Sequence, residues 1–131
     1  MTDNIKPYSI TVPDALLSDL ERRLEAIRWP EGELVSDWSQ GVPNGWLRDI
    51  CDYWKDTYNW RAREAKLNRF DHFLTPLDGL DIHFIHQRSS HPNATPLLIT
   101  HGWPGSIVEF HKVIEPLTEP TRFGGTADDA F

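Results

Sequence analysis

The stretch that most constrains this chain runs from Pro96 to Leu117 and reads P-L-L-I-T-H-G-W-P-G-S-I-V-E-F-H-K-V-I-E-P-L. Leu97, Leu98 and Ile99 form a short apolar run of the kind that makes a strand buried on both faces. Gly102, Trp103, Pro104 and Gly105 break it. Ser106 then offers a hydroxyl that can accept from the free N–H groups of a first helical turn. Ile107, Phe110, Val113, Ile114 and Leu117 recur at the spacing that places them on one helix face. The pattern predicts strand, sharp loop, amphipathic helix. A loop between a strand's carboxyl end and a helix's amino end presents backbone N–H groups where open α/β sheets bind ligands, so it can hold an oxyanion. Glycines on both sides allow close approach to a substrate, and Trp103 adds an apolar wall with one N–H donor. Pro104 makes a cis bond after Trp103 possible. A surface turn punctuated by Gly and Pro is the alternative reading of the same residues.

The segments before this stretch are mostly helical in pattern. Tyr8, Ile10 and Val12 alternate with other residues, predicting a short extended segment, and Pro13 ends it. Asp14 is placed to cap a helix with Leu16, Leu17, Leu20, Leu24 and Ile27 on one side and charged residues on the other. Arg28-Trp29-Pro30 ends that helix, and residues 31–44 read as a connecting loop anchored by Leu34, Val35 and Trp38. A second helix is expected from Gly45 through Tyr58, and a third from near Trp60 to Phe70. Four of the six tryptophans fall between Trp38 and Trp60, a density suited either to docking on another surface or to an aromatic core. Strands are expected at His72–Leu74 and Asp81–Gln87, joined at Asp78-Gly79, both of which tolerate positive backbone angles. With residues 97–100 these would open a sheet. Residues 89–94 and the stretch after Leu117 read as polar loops.

Several motifs, in this order, resemble the microsomal type of epoxide hydrolase: R-W-P at Arg28–Pro30, Y-N-W-R at Tyr58–Arg61, E-A-K-L-N at Glu64–Asn68, D-G-L-D-I-H-F-I-H at Asp78–His86 and T-H-G-W-P-G-S at Thr100–Ser106. The resemblance runs from about Ile5 to Leu117. It implies an incomplete α/β fold: a helical amino-terminal extension over residues 1–70, then the first strands and first helix of an α/β-hydrolase sheet over 71–131. It further implies that Gly102 and Trp103 form an oxyanion hole, that Trp103 and Pro104 line the epoxide pocket, and that His101 supports the loop. The family opens epoxides with water to give vicinal diols and needs no cofactor. Its aspartate nucleophile, lid tyrosines, acid and histidine follow this loop and have no counterpart here, so the chain is expected to be a fragment that is inactive alone. At 131 residues it is too short for a complete α/β hydrolase.

Other chemistries fit poorly. His83 and His86 stand three apart on an expected strand, point to opposite faces and do not suit one metal ion. His101 as a base has no visible nucleophile to serve. No G-x-S-x-G elbow occurs, no P-loop lysine follows the glycines, and Asp128 and Asp129 lack a preceding strand. The net charge of -7 and pI near 5.2 argue against nucleic-acid or anionic-membrane partners. Cys51 is the single cysteine, which excludes an internal disulfide, and the first nine residues lack the apolar core of a signal or anchor; a cytoplasmic, soluble protein is expected. The alternative to an enzyme part is a stand-alone interaction module that binds a partner, or a second copy of itself, through the Trp-rich helices.

Overall fold

The computed structural model describes residues 4–131. By contact density the described residues divide into two compact units, one of residues 11–63 and the other of residues 4–10 together with 64–131.

In the unit of residues 11–63, Pro13 stands before helix α1, Asp14–Glu25, in an extended conformation, with φ -58° and ψ 140°. Pro13 therefore takes the cap position and Asp14, expected as the cap, falls in the first turn, where its charge suits the helix dipole. Its carboxylate pairs with Arg61. On the wet side Asp19 pairs with Arg22 and, at 2.6 Å, with Arg23. Helix α2, Asn44–Asp56, begins at a small knot: Asn44 donates its side-chain N–H to the Pro30 carbonyl at 2.9 Å and its backbone N–H to Glu33 at 2.9 Å. Arg48 reaches back to Asn44 and stacks its guanidinium 4.5 Å over the Trp29 ring. The R-W-P turn is thus fastened to the helix that follows it. Helix α3 runs Trp60–Leu67, three residues shorter than expected.

The other unit is built on a three-stranded antiparallel sheet in the order β1-β2-β3. Strand β1 is Lys6–Tyr8, β2 is His72–Leu77 and β3 is Leu80–Ile85. The hairpin between β2 and β3 closes at Asp78 and Gly79, with φ of 50° and 82°, so the expected D-G turn has the two positive angles that such a loop requires. Alternation puts Phe73 and Phe84 on one face, stacked with centroids 5.6 Å apart, and Tyr8, His72 and His83 on the other. Asn68 extends the first pairing: its side chain donates to the Ile10 carbonyl at 2.7 Å and accepts from the Ile10 N–H at 2.8 Å.

Two expectations are corrected. Residues 97–100 form no strand, and Leu97, Leu98 and Ile99 are all exposed. A strand of that composition needs neighbours on both edges and cover on both faces, and none is present among the described residues. The sheet's third strand is β1 instead. The single helix expected after Ser106 is two pieces, a 3-10 turn at Ile107–Phe110 and α4 at Ile114–Thr118. Pro116 is the cause. Its ring would collide with the Lys112 carbonyl in a continuous helix, so the helix restarts at Ile114, where Pro116 sits in the first turn and its missing N–H costs nothing.

The polar loops are ordered by each other. Ser89 donates to the Thr118 carbonyl at 2.6 Å, Ser90 holds Glu119 through its hydroxyl and N–H, and Thr95 N–H donates to the Ala130 carbonyl at 2.9 Å. Phe70 and Ala130 are the buried apolar residues among those described.

Candidate functional site

The loop from His101 to Ser106 is a tight turn. Gly105 N–H donates to the Gly102 carbonyl at 2.7 Å, and the Trp103–Pro104 bond is cis, which places Pro104 at the third position of a type VI turn. The residue after it caps a helical turn, since the Ser106 hydroxyl accepts from Val108 N–H at 3.3 Å, as expected of it. Gly105 has no room for a side chain: a Cβ there would stand 2.9 Å from the Gly102 carbonyl oxygen and against the Glu109 carboxylate.

Because the turn consumes only the Gly105 amide and the Gly102 carbonyl, two donors remain. Among the described residues, the N–H groups of Gly102 and Trp103 have no protein acceptor. The His101 ring lies with Nδ1 3.3 Å from the Gly102 carbonyl, adjacent to the turn it was expected to support. Trp103 is 95% exposed, and Gly102, Pro104 and His101 are exposed as well. Two adjacent free amides can bind a developing negative charge. None of the described residues buries Gly102 or Trp103, so the low-dielectric surroundings that give such donors their strength are not supplied by them.

Among the described residues the carboxylate beside the turn is that of Glu109, against Gly105. Asp129 is engaged in a capping box, accepting from the Thr126 N–H and hydroxyl at 2.8 Å each, and the Thr126 amide holds its carboxyl below the usual aspartate range. Among the described residues no group of three or more His, Cys, Asp or Glu side chains could hold a metal ion. His83 and His86 do point apart: His86 lies near Phe73, whereas His83 meets His72. That histidine pair, the Asn68 clamp and the placement of Glu109 over Gly105 are features the sequence reading did not find.

In the unit of residues 11–63, the apolar sides of α1 and α2 face each other across an open groove of about 570 Å3. Leu16, Leu17 and Leu20 line one wall and Ile50, Tyr53 and Trp54 the other. Leu16, Ile50, Tyr53 and Trp54 remain largely exposed. No helix of the described residues is long and apolar enough to cross a membrane.

Residues 5–110 match the sequence profile of the family described as epoxide hydrolase N terminus. The chain is 58% identical over 127 residues to a putative epoxide hydrolase of Stigmatella aurantiaca and 38% identical over 133 residues to epoxide hydrolase 1 of Sus scrofa; these alignments cover 97% and 98% of it and 29% of each relative. In structure it is similar to an Aspergillus niger epoxide hydrolase, with a TM-score of 0.79 at 32% identity over 97% of this chain and 32% of that one. The juvenile hormone epoxide hydrolase of Bombyx mori gives a TM-score of 0.81 at 33% identity, over 88% of this chain and 28% of that one. The chain thus spans under a third of the length of the relatives it matches.

Proposed function

The chain belongs to the epoxide hydrolase N-terminus family, and on that premise we propose that it supplies the amino-terminal part of an enzyme that adds water to epoxides to give vicinal diols. Its contribution to the chemistry is the turn at Gly102 and Trp103, whose amides stabilise the oxyanion formed when water attacks an ester between substrate and an enzyme carboxylate. Trp103 and Pro104 line the epoxide pocket, and His101 holds the turn. The observation that carries this reading is the pair of amides left without a protein acceptor beside an exposed indole. Removing one oxyanion-hole donor typically costs about 2.7 to 4 kcal/mol of transition-state stabilisation.

On the same reading the chain does not turn over substrate alone, because the aspartate nucleophile, acid and histidine that the family places after this loop have no counterpart in its sequence, and none of the described residues covers the turn to exclude water. The test is diol formation from an aryl or terminal epoxide by the purified chain. No turnover is expected; turnover abolished by Trp103→Gly would overturn the claim of incompleteness. A cytoplasmic location goes with this proposal, on the strength of a single cysteine and an acidic composition. A second reading, a non-catalytic module that binds a partner or another copy of itself, draws on the open groove between α1 and α2. A purified chain that is monodisperse and unfolds cooperatively favours the module.

A further inference from the structure

His72 is a histidine with 3% of its surface exposed, and both of its ring nitrogens are committed. Nε2 lies 2.9 Å from the Leu67 carbonyl and Nδ1 lies 2.9 Å from Nε2 of His83. A carbonyl only accepts, so the His72 proton is on Nε2. Its Nδ1 is then the acceptor, and His83 donates from Nε2. The two rings lie nearly parallel, 17° apart with centroids 5.1 Å from each other, and Tyr8 packs edge-on against His83 at 4.9 Å. One cluster therefore ties all three strands and the end of α3 together: Tyr8 on β1, His72 on β2, His83 on β3 and Leu67 on α3.

The arrangement has a limited capacity for protons. With both rings neutral, one N–H fills the 2.9 Å gap. One added proton is tolerated, because the bridging hydrogen can belong to either ring while the far nitrogen of His83 takes the other. A second added proton would set N–H against N–H across that gap and two positive charges within one cluster. We propose that the His72–His83 pair is an acid-released latch on the three-stranded sheet, holding β1 and β3 to β2 while it carries at most one added proton and letting them part when a second arrives.

The charged groups around the pair are of both signs. Lys6 on β1 and Asp81 on β3 share the sheet face with the pair by alternation, and Asp71, which is exposed, precedes His72 at the start of β2. Helix α3 carries Glu64, which is buried, and Lys66, which is exposed, in the turn that ends at Leu67. Burial, followed by the charge of His72, holds His83 below the usual histidine range. A histidine depressed in the folded state contributes stability that is fully present above its unfolded value of about 6.5 and is lost as pH falls through the folded value. Each proton taken up only by the unfolded chain lowers the folding constant about tenfold per pH unit in that window.

The test is a pH titration of the histidine rings of the whole chain by NMR, with urea unfolding at pH 7.5 and 5.0 for the wild type and for His83→Gln, whose amide cannot titrate and presents an N–H to neutral His72 or its oxygen to a protonated one. His83 is expected in the Nε2–H form at neutral pH, titrating below the value of about 6.5 of a histidine in an unstructured peptide, and the wild type is expected to lose more of its folding constant on acidification than His83→Gln. His83 titrating as a histidine in an unstructured peptide does, or histidine signals of an unfolded peptide at neutral pH, would overturn the proposal. So would equal pH dependence of the two proteins. Should His83→Gln fail to fold, the wild-type titration decides alone.

Discussion

At the scale of single residues, stability and the proposed function separate cleanly. Trp103 is nearly all exposed, so its indole contributes almost nothing to folding of this chain. Trp103→Ala is expected to change the unfolding free energy by less than about 0.5 kcal/mol, measured by urea unfolding. Asn68 is the opposite case, since it closes two hydrogen bonds to Ile10 from a part-buried position. Asn68→Ala leaves that backbone N–H and carbonyl without partners, and a loss of roughly 1–3 kcal/mol is expected in the same measurement. The contrast also shows what was legible. Gly102, Trp103 and Pro104 announce themselves because glycine and proline mark a turn wherever they stand. Asn68 and Ile10 are 58 positions apart, and the partnership of His72 with His83 depends on hairpin register; no local pattern in the sequence carries either.

At the scale of elements, the readings that held were those whose determinants are local. The Asp78-Gly79 hairpin is written in two residues, and Gly79 at φ 82° tests it: Gly79→Ala is expected to cost roughly 1–2 kcal/mol, seen as a lowered urea midpoint. The amphipathic spacing of α1 and α2 likewise needed no tertiary information. The strand at 97–100 failed because an apolar run becomes a strand only when others pair with it. The helix after Ser106 failed because periodicity counted Ile107 to Leu117 as one face and overlooked what Pro116 does to the carbonyl four residues before it. Charge on α1 gives a pH prediction. Hydrogen bonds from Arg22 and then Arg23 hold the Asp19 carboxyl below the usual aspartate range, so their stabilisation is present above about pH 4 and is lost as pH falls through the lower folded value. Asp19→Asn is expected to lower helix content at pH 7, by far-UV circular dichroism, and to make no difference at pH 2.

At the scale of the whole molecule, the exposed apolar surface decides between the two functional readings. Leu98 is 89% exposed beside Leu97 and Ile99, and the residues 11–63 unit leaves the groove of α1 and α2 open with Trp54 on its wall. Among the described residues buried apolar side chains are few, so much of the hydrophobic free energy available to them is unused in this chain. Contiguous apolar surface of this kind is covered by other protein or it drives association. The chain spans 29% of relatives with which it shares up to 58% of its residues, and the proposal is that sequence of the kind found in their remaining length supplies the cover. The chain alone is then expected to bind a hydrophobic dye such as ANS and to self-associate as its concentration rises, by light scattering. The same chain extended to the length of its relatives is expected to be monodisperse with dye binding lost. A 131-residue chain that stays monomeric, excludes the dye and unfolds in one cooperative step would mean that its surfaces are already satisfied. The amides of Gly102 and Trp103 would then be turn geometry inherited without its chemistry.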